Sequence, residues 1–150
     1  MPLSLRENIV QSRRLPQDEE ILCGRAELLA PADRDLVMAV LIRNESPRLL
    51  GRLSGLGSRA VRERVKRLGR RLCSRRFLDA ARALAYLAPE DARLARLWFC
   101  QAVPQREICR RMDISIHSLR RRLDRLSAQI ATLRRVFQNG RAVVHRGGGR

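Results

Sequence analysis

The segment PQREICRRMDISIHSLRRRLDRLSAQI, residues 104–130, determines the fold that we predict for this chain. A short helical pattern comes first, in which Ile108 is apolar and Cys109 is small enough for a close helix crossing. Residues 113–115 (DIS) predict a turn, and Ser115 is a residue type that caps the N-terminus of a following helix. That second helix has an apolar stripe with helical spacing at Leu119, Leu123, Leu126, Ile130 and Leu133. The order of helix, tight turn and helix predicts a helix-turn-helix motif.

The same pattern occurs earlier in the chain, shifted by 58 positions. Without a gap, residues 29–72 are identical to residues 87–130 at 11 of 44 positions, and several apolar positions also correspond. In this first copy Gly51 takes the small position, Leu56 is expected to fill the turn, and Ser58 is expected to cap the second helix. The sequence therefore predicts two copies of one helical unit.

The positive net charge of the chain indicates an anionic partner. Its 150 residues include 32 Lys and Arg against 15 Asp and Glu, which gives a net charge of +17. Such an excess destabilises a small compact protein by self-repulsion, and a polyanion relieves that repulsion. Nucleic acid is the first candidate and an anionic membrane surface the second. The longest apolar run, residues 36–42, is far shorter than the ~20 residues of a spanning helix.

We expect an all-α protein with two tandem helix-turn-helix domains of three to four helices each, joined by a helical linker near residues 77–86. Gly and Pro fall at the boundaries of helical patterns, and alternating β-type patterns are absent. No signal peptide is visible, so we expect a cytoplasmic protein associated with the nucleoid. The expected parts are an N-terminal arm (1–17), the first domain (18–76), the second domain (77–137) and a flexible basic tail (138–150).

The second copy resembles region four of bacterial sigma factors, the domain that reads promoter DNA. The resemblance covers residues 87–130 and rests on Glu107-Ile108-Cys109, Ile114-Ser115 and Ser118-Leu119, which stand where the family has Glu-Ile-Ala, Ile/Val-Ser and Thr-Val. Asp113 replaces a frequent turn glycine, and no segment resembles the aromatic region that melts promoters. The resemblance implies a DNA-binding transcriptional regulator rather than a complete sigma factor, with RNA polymerase as a further partner.

Two groups of residues are expected to contact double-stranded DNA. Arginine bonds two acceptors of guanine in the major groove, whereas phosphate contacts set the register without reading sequence. We expect base contacts from the exposed start of each second helix, with the four arginines as the main readers: Ser58, Arg59, Arg62, Glu63, Lys66, Ile116, His117, Arg120, Arg121 and Asp124. Phosphate contacts are expected from Arg48, Arg67, Arg70, Arg71, Arg106 and Arg110.

Other functions fit the sequence less well. We expect no enzymatic activity, cofactor or metal, because no phosphate-binding loop, zinc spacing or acid pair in an evident cleft occurs. The four cysteines are expected to be small buried hydrophobes. A module that binds RNA polymerase or another regulator, and a sequence-blind RNA binder, stay open as alternatives. A homodimer through the C-terminal helix also stays open, at Ile130, Leu133, Val136 and Phe137.

Overall fold

The computed structural model describes the backbone of residues 16–146 and the side chains of residues 19–140. Over the described backbone the protein is all-α, as predicted, and no residue lies in a β-strand. Contacts divide the chain into two compact units, Met1–Ser74 and Arg75–Arg150, called here the first and the second unit. The expected arm lies almost wholly outside the described residues.

Within the described residues each unit contains four α-helices. The first unit contains α1 (Pro16–Ala26), α2 (Pro31–Val37), α3 (Pro47–Ser54) and α4 (Ser58–Cys73). The second contains α5 (Arg75–Ala83), α6 (Pro89–Ala95), α7 (Gln105–Met112) and α8 (Ile116–Arg146). A π-helical turn follows α2 (Met38–Ile42) and α6 (Arg96–Cys100), and a 3₁₀ turn (Leu84–Tyr86) follows α5. Proline occupies the first position of α1, α2, α3 and α6, where its missing N–H leaves no bond unmade.

The sequence duplication is also a duplication of the backbone. Helices α2, α3 and α4 each begin 58 residues before α6, α7 and α8, and the two π-helical turns are offset by the same distance. Immediately after those turns, Asn44 and Ala102 both adopt the left-handed conformation, with φ of 56° and 52°. The N–H groups of Glu45 and Val103 then donate to Ala39 and Leu97, each at 2.9 Å. The two units therefore share backbone details that the 11 identities alone did not reveal.

The core of the first unit is formed mainly by α4, together with the end of α2 and the π-helical turn that follows it. The predicted stripe of α4 is buried, since Val61, Val65, Leu68 and Leu72 are at most 2% exposed. Val37 of α2 faces this stripe and is 1% exposed. Burial of each such side chain stabilises the unit by about 1.5–3 kcal/mol.

The core of the second unit contains most of the predicted stripe of α8: Leu119, Leu123, Leu126 and Ile130 are buried as predicted, whereas Leu133 is half-buried. Helix α5 packs against α8 and the second π-helical turn within this unit, and its Phe77 is fully buried. The expectation of a linker near residues 77–86 is therefore wrong: α5 is the first helix of the second unit, because its apolar face is needed in the core.

Two further expectations differ from the structure. Helix α8 continues to Arg146, whereas we expected a flexible tail from residue 138.

The four free cysteines are not uniformly buried, since Cys73 is exposed and only Cys100 is fully buried. Burial raises the pKa of the Cys100 thiol to about 11, and the nearby charge of Arg96 opposes this rise. Of the residues proposed for a dimer, Ile130 is buried and Val136 is 58% exposed. The ring of Phe137 contacts that of Tyr86 in a tilted arrangement, with the ring centroids 5.1 Å apart.

Candidate nucleic-acid interface

In the second unit a three-residue turn connects α7 to α8. Asp113 begins it with a φ of 52°, and the N–H of Ile114 donates to the carbonyl of Cys109 at 3.1 Å. Ser115 caps α8 as predicted, because its Oγ accepts from the N–H of Ser118 at 3.2 Å. The cap fixes the first turn of α8, which carries Ile116 and His117 and leads into the turns that carry Arg120, Arg121 and Asp124.

In the first unit the turn is made of Gly55-Leu56-Gly57 and connects α3 to α4. A Cβ at Gly51 would lie 2.5 Å from the carbonyl carbon of Gly57, so only glycine permits this approach. Two expectations fail here. Ser58 is not the cap, since Gly57 occupies that position without a side-chain bond, and Leu56 does not fill the turn, since it is 52% exposed.

The start of α4 and of α8 presents the predicted base-reading residues to solvent. Ser58 and Ile116, at the first position of each helix, are half-buried. The others are exposed: Arg59, Arg62, Glu63, Lys66, His117, Arg120, Arg121 and Asp124. Because the apolar stripe of each helix faces its core, these side chains share the opposite, solvated faces.

The four main arginines are also available to an anion. Among the described residues, Arg59, Arg62, Arg120 and Arg121 form no ion pair. A guanidinium without a carboxylate partner keeps its donors for an incoming acceptor, such as the O6 and N7 atoms of guanine. Only Arg62 and Arg120 occupy equivalent positions in the two units. At the other reading positions the first unit has Arg59, Glu63 and Lys66 where the second has His117, Arg121 and Asp124.

The predicted phosphate contacts divide into two groups. Arg48, Arg67, Arg70 and Arg106 are exposed, and no ion pair is found for them over residues 19–140. Arg71 is different, because its Nη1 lies 4.0 Å from Asp33 and its side chain is 27% exposed. Arg110 is already bonded to Glu107 at 2.5 Å. These two arginines are therefore less available to a phosphate than the sequence indicated.

The Glu107 carboxylate accepts hydrogen bonds from two arginines of its own helix. Hydrogen bonds from Arg110 and then Arg111, at 2.5 and 2.7 Å, lower the pKa of Glu107. The hydrogen bond to Glu107 raises the pKa of Arg110 in turn. A phosphate near Arg110 would have to compete with a carboxylate that the same helix supplies.

Other arginines of α4 and α8 have structural roles that the sequence analysis missed. Arg64 donates to Asp33 of α2 at 2.7 Å, and this carboxylate is only 15% exposed. The equivalent Arg122 lies 3.7 Å from Glu90 of α6. Both contacts tie the second helix of the turn to the helix that begins the repeat. Arg64 and Arg122 are identical residues at equivalent positions of the two copies, and this match is the sequence feature that could have indicated their shared structural role.

Neither a protein-family model, a curated protein nor a solved structure matches the chain. Of the helices in the described part, none is both long and apolar enough to cross a membrane. Within that part, no three His, Cys, Asp or Glu side chains are grouped as metal ligands.

Proposed function

We propose that the protein binds double-stranded DNA and regulates transcription, with the start of α4 and of α8 reading bases in the major groove. One observation carries this proposal. In both units the helix after a three-residue turn, α4 or α8, begins with exposed arginines that have no acidic partner among residues 19–140. This is the position from which the second helix of a helix-turn-helix motif contacts base edges. The net charge of +17 adds attraction for phosphates at any sequence.

The proposed DNA site has two unlike halves. Arg62 and Arg120 are equivalent and favour guanine in both halves. The remaining reading positions differ in charge, since Glu63 corresponds to Arg121 and Lys66 to Asp124. A carboxylate accepts from the amino group of cytosine, whereas Arg and Lys donate to guanine. The two units therefore prefer different base sequences.

The resemblance of residues 87–130 to region four adds RNA polymerase as a proposed partner and the nucleoid as a proposed location. A single-stranded RNA partner fits less well. Single strands are usually held by stacking on aromatic side chains, and aromatic residues are 3% of the chain. Of these few, Phe77 is buried, and Trp98 and Phe99 already face the guanidinium of Arg76 at 5.5 and 4.9 Å.

The proposal is tested by selecting duplexes from a random pool at two salt concentrations. We expect a motif with two unlike halves that persists at the higher salt concentration. DNA without the motif should dissociate at that concentration, because cations rebind to its phosphates. A single short motif would assign base reading to one unit only. Binding without any enriched motif, lost at moderate salt, would refute base reading and leave only a polyanion surface.

Single substitutions then separate base reading from phosphate contact. Arg120→Ala should relax the preference at one base pair, with a loss of about 1–3 kcal/mol for the preferred site alone. Arg106→Ala should weaken all sequences alike and reduce the slope of log affinity against log salt by about one. Arg135→Ala is the matched control, because Arg135 is exposed on the later part of α8. Equal, sequence-independent losses for Arg120→Ala and Arg106→Ala would contradict the reading role.

A further inference from the structure

Helix α3 of the first unit carries two parallel rows of exposed side chains. Arg48 and Arg52 form one row, and Leu49 and Leu53 form the other, each pair with the i, i+4 spacing that places residues on one helix face. Leu49 and Leu53 are 42% and 76% exposed, and Leu56 in the adjoining turn is 52% exposed. These three leucines are called the leucine patch here.

The second unit has the same backbone without this patch. The positions of Leu49 and Leu53 are taken by Glu107 and Arg111, which form an ion pair at 2.7 Å. The position of Leu56 is taken by Ile114, which is half-buried. The arginine row is kept, since Arg106 and Arg110 correspond to Arg48 and Arg52. The fold therefore does not need leucine at these positions, because a polar pair serves the same helix in the other unit.

Charge determines what kind of molecule fits the leucine patch. No ion pair is found for Arg48 or Arg52 within the described part of the chain, so the row beside the leucines is an uncompensated positive edge. A second copy of this chain carries the same charge of +17 and would be repelled. A phosphate backbone would satisfy the arginines but would gain nothing from the leucines.

We propose that the leucine patch docks an acidic amphipathic helix of a partner protein. Apolar side chains of that helix cover Leu49, Leu53 and Leu56, and its carboxylates pair with Arg48 and Arg52. This is the helix-in-groove type of recognition, in which i, i+4 apolar residues anchor the contact and charges at the rim orient it. A carboxylate of the partner and a DNA phosphate both use the guanidinium of Arg48, so the partner and DNA compete for this side chain.

The structure offers a matched pair of variants for the test. Leu49→Glu with Leu53→Arg gives α3 the ion pair that α7 already carries, so the helix should fold while the patch is removed. Glu107→Leu with Arg111→Leu is the reciprocal change and adds exposed leucines beside Arg106 and Arg110. Circular dichroism checks that both variants keep the helix content of the parent chain.

The probe is a displayed library of random peptides of about 16 residues, a length at which isolated helices become marginally stable, panned on the full chain. We expect peptides with leucine-like residues at i, i+4 and flanking Asp or Glu. Their affinity should fall roughly tenfold or more for Leu49→Glu/Leu53→Arg, since a few buried anchors dominate such contacts. It should rise for Glu107→Leu/Arg111→Leu, where a second site is created.

Each alternative occupant gives a result that overturns the proposal. No enrichment of acidic amphipathic peptides, or enrichment that survives Leu49→Glu/Leu53→Arg, would refute the docking site. A chain that sediments as a dimer and becomes monomeric with that variant would assign the patch to a second copy instead. Duplex binding is measured on the same samples and should be unchanged by Leu49→Glu/Leu53→Arg. If the unmodified chain does not bind duplex DNA, that result would refute the proposed function and leave the docking site untouched.

Discussion

The two units use one backbone for two surfaces. Helices α2, α3 and α4 begin 58 positions before α6, α7 and α8, and the π-helical turns and the left-handed residues Asn44 and Ala102 keep the same offset. The first unit places Leu49 and Leu53 where the second places the ion-paired Glu107 and Arg111. Residues 1–74 contain 15 basic and 9 acidic residues, whereas residues 75–150 contain 17 and 6. The excess of positive charge is therefore concentrated in the second unit, and exposed apolar surface at the turn belongs to the first.

This difference shows which positions the fold constrains. The buried stripes keep their apolar character in both units, because removing a core side chain costs about 2–5 kcal/mol. Exposed positions beside the turn have exchanged leucine for charge without any change in the helix bounds. Function can therefore diverge at these positions while the backbone stays the same.

The largest effect is expected at the small residue that lets the first helix of each motif lie close to the turn, Gly51 in the first unit and Cys109 in the second. Gly51→Val would place a Cβ 2.6 Å from the backbone nitrogen of Ser58, and should destabilise the first unit by about 3 kcal/mol. The equivalent Cys109→Val should cost about 1 kcal/mol or less, because a side chain of similar volume is already present there. Urea unfolding followed by circular dichroism measures both changes.

Two further observations sharpen this test. Gly24→Val is the control, because no atom lies within 4 Å of a Cβ at Gly24. Trp98, the single tryptophan, belongs to the second unit, so its fluorescence should report Cys109→Val more directly than Gly51→Val. Equal stability of Gly51→Val and Gly24→Val would show that the first turn is not closely packed.

A smaller effect is expected at the left-handed residues after the π-helical turns. Both residues have a Cβ that approaches the following carbonyl oxygen, but Asn adopts this conformation more readily than Ala because its short polar side chain can hydrogen-bond locally. Ala102→Asn should therefore stabilise the second unit, and Asn44→Ala should destabilise the first, each by about 1 kcal/mol. The midpoints of urea unfolding measure both. Destabilisation by Ala102→Asn would mean that the two turns differ in conformation.

The smallest effect concerns pH and should belong to the second unit alone. The lowered pKa of Glu107 means that its ion pairs stabilise the folded state above the ordinary value of 4.5. This contribution is lost as the pH falls below that value and through the lowered pKa. Glu107→Gln should remove this part of the acid sensitivity, measured as the urea midpoint of Trp98 fluorescence from neutral to acidic pH. An unchanged pH profile would show that the Glu107 pairs do not contribute in solution.

The helical class, the duplication and the apolar stripes were predictable from the order of residues in the chain. These features depend on the spacing of residues along the chain, because a helix repeats every 3.6 residues and must bury one face. The stripe at Leu119, Leu123, Leu126 and Ile130 was predicted for this reason and is buried. The cap at Ser115 was predicted as well, since capping depends on residues only three positions apart.

Tertiary structure alone decided the features that depend on distant residues. Local spacing could not distinguish a linker from a core helix at Phe77, because its burial requires α8 and the second π-helical turn. It could not show that Arg64 pairs with Asp33 while Arg62 stays exposed. It also could not show that Leu56 faces solvent although Ile114 is half-buried. Burial and ion pairing are set by residues brought together across the fold, so identical spacing in the two units produced different surfaces.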